Sequence, residues 1–323
     1  MDNPAFFTHS PKMPETDLST ATPVDPLSEV ISLLQPRAPF SKLVMARGAF
    51  RVRRDDVRGV FYCMVLAGRI QIEVDQRAPA QLAAGDFILV PDVLPFTLSS
   101  RDPAPAAGQQ TRIERAADGV LNIGGRQDGA GAAPVQLLIG HCSFGSPDRE
   151  LLLSLLPESA LVRGEDRLAA LATLVRDEVH AARPARDRVL EHLLQVLMIE
   201  AFRSAPTQAT PGLLRGLSDP RLAPALRALH GAPGAAWSVP LLAAEAGLSR
   251  SAFFTRFNRI VGQPPMGYLL GWRMTLARHM LGGGQMGISE VARRTGYGSA
   301  SAFTTAFTRH NGTTPARYAR EMA

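Results

Sequence analysis

The chain has 323 residues, 46% hydrophobic and 20% charged, with a net charge of +6. No run of about eighteen apolar residues occurs, so no membrane-spanning helix is expected. Two cysteines, Cys63 and Cys142, supply no disulfide framework and fit a reducing, cytoplasmic compartment.

Residues 1–24 are dominated by Pro, Thr, Ser and Asp, with no apolar period and no signal-peptide core, and are expected to form a disordered arm. A sensor domain over 25–148 follows. The run Val60–Leu66 is a strand candidate and Gly68 a turn. Ile70, Ile72 and Val74 alternate with polar residues, as in a half-buried strand. Gly85-Asp86 turns the chain into Phe87–Pro91, and Phe96–Leu98 follows. Such a succession predicts an all-β barrel or sandwich, and the order of its glycines and Pro91 resembles a cupin barrel.

Metal-binding cupins cluster His with Glu, because a catalytic metal needs about three N or O ligands and an open position. No histidine lies between Asp25 and Gly140, and His141 stands alone. Neither a metal nor another cofactor is therefore expected. A small-molecule effector pocket is expected inside the barrel, with Phe61, Cys63, Val65 and Phe96 in its lining. A redox or metal sensor built on Cys63 and Cys142 is the alternative use of this domain.

The Ala-, Gly- and Pro-rich stretch 101–134 reads as a mobile loop. Residues 149–203 read as a helical connector, with a short helix at 151–156 and longer ones near 166–182 and 187–203, parted by Pro184. The last carries Leu190, Leu193, Leu194, Leu197, Met198 and Ala201 on a wide apolar face, which either packs on the barrel or forms a homodimer interface. Residues 204–217, with Pro206 and Pro211, read as a linker.

Residues 218–323 contain one pattern twice. Ala246-Gly247-Leu248-Ser249, then Phe253, Phe257, Arg259, Gly262 and Pro265, returns as Thr295-Gly296-Tyr297-Gly298-Ser299, then Phe303, Phe307, Arg309, Gly312 and Pro315. Repetition of one supersecondary unit outweighs any single-site signal. Each copy reads as a helix, a glycine turn and a second helix, the arrangement that enters a DNA major groove. Leu241, Leu242, Ala243 and Ala246 are the expected apolar side of the first leading helix. Ser249 and Ser299 are natural N-caps. With the phenylalanines inward, Ser251, Phe254, Thr255 and Asn258 face outward in the first copy, and Ser301, Thr304, Thr305 and Thr308 in the second. Tyr268–Leu281 reads as a connecting helix with Leu269, Trp272, Leu276 and Met280 on one stripe.

From Ser218 onward the chain carries twelve arginines and no lysine against four acids, a net of +8, while the remainder is at −2. Arg256, Arg259, Arg273, Arg293, Arg294 and Arg309 are candidates for phosphate contacts, which give salt-dependent affinity without sequence preference.

Residues 218–320 resemble the DNA-binding domain of the AraC/XylS family of bacterial transcription regulators. The resemblance rests on Gly247–Phe253, Gly262–Pro265, Trp272-Arg273-Met274, Val291-Ala292, Gly296-Tyr297, and Gly312 and Pro315 followed by Arg317-Tyr318. It implies base-edge contacts from Ser251, Phe254 and Thr255, and from Ser301 and Thr305; Arg250 and Thr304 complete the expected reading set. Many members carry Arg where this chain has Thr255 and Thr305, so a weakly polar readout is expected here. The second outward face carries no charge, which assigns more of the base discrimination to the first unit.

The expected fold is therefore α+β and multidomain: a cupin-like β-barrel, a helical connector and an all-α double helix-turn-helix domain. The expected function is sequence-specific transcription regulation on double-stranded DNA, controlled by a small effector, with homodimers and RNA polymerase as candidate partners and no membrane or catalytic role. A cupin enzyme with a nucleic-acid-binding appendage and a low-specificity DNA-associated protein are the competing readings.

Overall fold

The structure is a computed structural model that describes residues 25–322 apart from 56–58, 76, 93–94, 102–105, 107, 109–110, 117–119, 125–133, 182 and 206–210. The expected N-terminal arm lies outside the described residues. The described residues open with helix α1 (Pro26–Leu34), capped by Asp25, whose carboxylate accepts from Ser28 N–H at 3.0 Å.

Eleven strands follow among the described residues. They are β1 (Pro36–Ala46), β2 (Arg51–Arg54), β3 (Val60–Ala67), β4 (Arg69–Val74), β5 (Ala80–Ala83) and β6 (Phe87–Val90). Then come β7 (Phe96–Ser99), β8 (Ile113–Arg115), β9 (Leu121–Ile123), β10 (Val135–Phe144) and β11 (Ala160–Val162). They form a seven-stranded sheet, ordered β11-β6-β3-β10-β1-β9-β8, and a four-stranded sheet, ordered β2-β7-β4-β5. The two sheets share one apolar interior, so this domain is a cupin-like two-sheet structure rather than a fully closed barrel. Two short strands, β8 and β9, occupy part of the stretch expected to be a mobile loop.

The hydrophobic patterns follow from which faces are covered. In β3, Phe61, Cys63 and Val65 point into the space between the sheets, while Val60, Tyr62 and Met64 pack in a second core beyond the large sheet. Both faces are buried, so the strand reads as an unbroken apolar run. Strand β4 buries Ile70, Ile72 and Val74 and leaves the residues between them more accessible, hence its alternation.

The second core is supplied by helices. α2 (Arg149–Ser154), α3 (Asp166–His180) and α4 (Arg186–Ser204) follow the sheets. Leu190, Leu194, Leu197, Met198 and Ala201 of α4 are buried against α1 and the large sheet. The apolar face offered as a dimer interface is thus largely consumed inside the chain. Part of the expected linker is also ordered, as helix α5 (Leu213–Ser218), where Leu213 N–H donates to Leu155 O at 3.0 Å and Gly212 N–H to Ile260 O at 3.0 Å.

The C-terminal region continues with α6 (Leu222–Gly231), α7 (Val239–Glu245), α8 (Arg250–Val261), α9 (Pro265–Gly282), α10 (Ile288–Arg294), α11 (Ala300–Asn311) and α12 (Pro315–Met322). The core that starts at the large sheet runs without interruption through α4 to Phe253, Phe257, Tyr268 and Trp272. Met274, Ala277, Leu281, Val291, Ala292, Phe303 and Phe307 form a separate core. Helix α9 therefore buries its first half in one core and its second half in the other, rather than showing the single stripe expected from its sequence.

Candidate nucleic-acid interface

Each reading unit is built by the same local chemistry. In the first, Ser238 caps α7 and Ser249 caps α8, its Oγ accepting from Ala252 N–H at 3.3 Å. In the second, Ser299 Oγ accepts from Ala302 N–H at 3.1 Å. The turn residues Gly247 and Gly296 sit at φ +59° and +81°, where a side chain is strained. At Gly296 a Cβ would also lie 2.7 Å from both Gly234 O and the Arg273 guanidinium, so only glycine fits.

The cores of the two units superimpose in kind. Phe253 and Phe257 have ring centroids 5.5 Å apart, as do Phe303 and Phe307. Phe257 meets Tyr268 edge-on at 5.8 Å, and Phe307 meets Tyr318 edge-on at 5.7 Å. Tyr268 and Tyr318 then diverge. Tyr268 is buried and its hydroxyl lies 2.6 Å from His230 Nε2, whereas Tyr318 is half-buried.

With these rings fixed inward, Arg250, Ser251, Phe254 and Thr255 emerge together on the exposed side of α8. With Val239 and Ser249 they line a shallow groove of about 660 Å³. Phe254 is 44% exposed, and Leu241 on the preceding helix is 52% exposed, contrary to its expected inward position. The seven-residue α7 has too few turns to bury a wide face, and Leu242 and Ala243 take the inward positions. On α11, Ser301 and Thr305 are exposed and Thr304 is half-buried. Thr304 Oγ1 donates to Ala300 O at 2.7 Å and Thr305 Oγ1 to Ser301 O at 3.1 Å, so both hydroxyls have intrahelical partners and retain acceptor capacity. Thr308 is half-buried with its hydroxyl oxygen inside, not outward as expected.

The six arginines expected on phosphates fall into distinct environments. Arg259 and Arg309 are exposed. Arg293 and Arg294 both pair with Glu290 at 2.7 Å, an exposed cluster in which their hydrogen bonds hold the Glu290 carboxyl down at about 2. Arg256 forms a bidentate pair with Asp219, with Nη2 2.6 Å and Nε 3.0 Å from Oδ2. Asp219 Oδ1 in turn accepts from the N–H groups of Arg221 and Leu222 at 3.0 and 3.1 Å, closing the start of α6. Desolvation raises the Asp219 carboxyl, but the Arg256 and backbone hydrogen bonds outweigh it and hold the group below its ordinary value. Arg273 donates to Pro233 O at 2.8 Å and Ala235 O at 2.7 Å beside Gly296, which ties the α6–α7 loop to the second unit's turn. In this arrangement Arg256 and Arg273 are engaged in bonds within the domain. Sequence offered no signal for this, because the partners are a distant acid and two carbonyls.

Sequence reasoning also missed the junction with the sensor domain. His230 of α6 is buried, with Nδ1 3.1 Å from Glu29 Oε2 of α1 and its ring centroid 4.3 Å from that of Trp272. Asp148, at the start of α2, pairs with Arg278 of α9, and Leu151 packs beside Gly271.

Within the sensor domain, Lys42, Val44, Val52, Arg54, Phe96, Leu98, Ile113, Leu121, Ile123, Ile139 and His141 line a cleft. Of the four residues expected in a pocket, Phe96 is in this lining. Phe61 stacks behind it at 4.1 Å, and Cys63 and Val65 lie deeper in the packed interior. Cys63 and Cys142 belong to opposite faces of the large sheet, and burial pushes both thiols up to about 12, which argues against a redox pair. Among the described residues no group of three or more His, Cys, Asp or Glu could hold a metal ion, and no helix is long and apolar enough to cross a membrane.

Comparison with known proteins agrees with this architecture. A cupin family model matches residues 25–205 and a helix-turn-helix domain model residues 242–321. An AraC-like transcription regulator of Streptomyces lividans is 38% identical over 91% of this chain and 98% of its own length; another, of Streptomyces antibioticus, is 35% identical over 91% and 98%. The DNA-binding domain of AdpA, solved in complex with a target DNA, is 33% identical over 32% of this chain and 93% of its own, with a TM-score of 0.30. With a cupin domain ahead of a helix-turn-helix domain, and relatives matched over nearly their whole length, the chain belongs to the AraC-like transcription regulators and acts as a DNA-binding regulator of transcription.

Proposed function

We propose that the chain reads a specific operator through α8 and α11 and that an effector bound in the sensor domain controls this reading. Ser251, Phe254 and Thr255, with Ser301, Thr304 and Thr305, would contact base edges, and Arg250 would orient the first helix. Arg259 and Arg309, with Arg293 and Arg294 where Glu290 releases them, would meet phosphates. The domain limits that follow are a sensor over 25–148, a connector over 149–203, a linker over 204–217 shortened by α5, and a reader over 218–323.

The observation that carries effector control is the continuous core from the sensor sheet to the first reading unit, with Glu29 of α1 against His230 of α6. A ligand that alters the sensor packing would shift the first unit directly, provided it binds the two arrangements with different affinity. The second unit, in its own core, would follow through α9.

Homodimerisation remains part of the reading on a different surface from the one expected. Leu174 of α3 is 53% exposed, and Val189 and Val196, two turns apart on one side of α4, are 40% and 42% exposed. Pairing through this side would double the DNA contacts. The regulatory relatives favour a non-enzymatic, cytoplasmic protein, and RNA polymerase is a natural partner for an activator.

Footprinting of the purified chain in excess competitor DNA, on sites found by genome-wide mapping, tests the reading. Protection of two consecutive groove segments per chain is expected. Loss of all protection to competitor would leave a low-specificity DNA-associated protein instead.

A further inference from the structure

The two reading units differ in what they expose besides hydrogen-bonding groups. The first exposes large apolar side chains, Phe254 at 44% and Leu241 at 52%. Among the described residues α10 and α11 expose none, and the position matching Phe254 is held in α11 by Thr304, half-buried and bonded through Oγ1 to Ala300 O at 2.7 Å. Phe254 belongs to neither core of the domain, although Phe253 and Phe257 on the same helix pair inside one of them. Its ring instead lines the groove beside the start of α8, together with Val239, Ser249, Arg250, Ser251 and Thr255, a lining without a carboxylate.

The chemistry of a phenyl ring narrows what this groove can read. A recognition helix meets base edges with its N-terminal residues, and Phe254 stands in the second turn of α8. The ring neither donates nor accepts a conventional hydrogen bond. Set against guanine O6 and N7, adenine N6 or cytosine N4, it takes water from polar groups and returns no partner. The apolar group that a base pair presents in the major groove is the C5-methyl of thymine. A 5-methylcytosine carries the same group on the same ring atom. Contact between ring and methyl buries apolar surface on both sides. Phe254 thus discriminates twice, by attraction to the methyl and by the desolvation it imposes on any other base edge.

Resting on the operator reading above, we propose that the first unit reads a 5-methylpyrimidine: Phe254 covers the C5-methyl of a thymine, and 5-methylcytosine at that position is accepted in preference to cytosine. One buried methyl is worth about fourfold in affinity.

The test is binding titration of the full chain on a duplex recovered by selection from a randomised library, with each thymine in turn replaced by deoxyuridine, which removes the methyl alone. At least one replacement should weaken the wild-type chain about fourfold. At that position Phe254→Ala should bind the thymine and deoxyuridine duplexes alike, whereas Phe254→Leu, which keeps an apolar contact, should still separate them. Cytosine placed there should bind weakly and its 5-methyl form about fourfold better, a gain that Phe254→Ala loses. Equal affinity at every replaced position, or thymine preferences that all survive in Phe254→Ala, would overturn the proposal; the wild-type comparison needs no variant to fold. A preferred duplex whose deoxyuridine forms bind equally well keeps the operator reading and removes the methyl contact alone. Recovery of no preferred duplex removes both.

Discussion

Phe257 and Phe307 occupy matched positions in the two reading units, yet their loss should have different reach. Both are almost fully buried, at 1% and 0% exposure, with the same ring geometry around them. Truncation to alanine at either site should cost about 3–5 kcal/mol in lost burial and cavity. For Phe307→Ala that loss falls on a module, Ile288–Met322, of about 35 residues packed with the second half of α9 around a core separate from the sensor's. At roughly 0.05–0.15 kcal/mol per residue such a module is worth only ~2–5 kcal/mol, so the substitution should leave it mostly open near 25 °C. Phe257 lies in the core shared with the sensor, where the same loss is drawn from a far larger cooperative unit. Hydrogen exchange read by mass spectrometry discriminates: Phe307→Ala should lose protection over 288–322 and keep it in β3 and β6, while Phe257→Ala should lower protection in both the first unit and the connector. A uniform loss throughout the chain in Phe307→Ala would refute the two-core reasoning.

Arg256→Ala should lower the melting temperature and flatten the acid limb of stability. Asp219 is held below its ordinary carboxylate value of 3.8, so its contribution is fully present above that pH and is lost as pH falls through the lower folded value; without Arg256 that dependence shrinks. Arg309→Ala should instead leave stability alone and reduce the slope of log affinity against log salt by about one, measured by binding titrations across salt; an unchanged slope would remove Arg309 from the phosphate set. Phe254→Ala and Thr305→Ala should alter the sequences recovered in an operator selection without moving the melting temperature, and recovery of the same sequences would take that residue out of the reading set. Leu174→Glu combined with Val196→Glu should yield monomers in size-exclusion chromatography with light scattering, and an unaltered mass would place any dimer contact elsewhere.

Much of the reader was legible before any coordinates. The spacing of Phe253 and Phe257, repeated at Phe303 and Phe307, sets helical period and inward face together, and the serine caps and turn glycines bound the helices by local chemistry. The long connector helices were found on the same grounds, since periodicity over many turns outlasts local irregularity. Strands β8 and β9 escaped, because three-residue elements within Gly- and Pro-rich surroundings carry too little pattern to separate from loop.

By itself, then, the sequence determined the duplicated reader, most but not all of its outward residues, the concentration of arginine around it and the β-rich sensor ahead of it. These are properties of local propensity and period, which neighbours in the chain set. Only the tertiary structure decided that Arg256 and Arg273 serve the fold, that the apolar face of α4 is spent within the chain, and that the sensor and first unit share a core while the second stands apart. Those outcomes depend on pairs such as Asp219 with Arg256 and Glu29 with His230, separated by 37 and 201 positions. Two residues that far apart leave no mark on periodicity or spacing, and what each one does is set by the partner that folding brings to it.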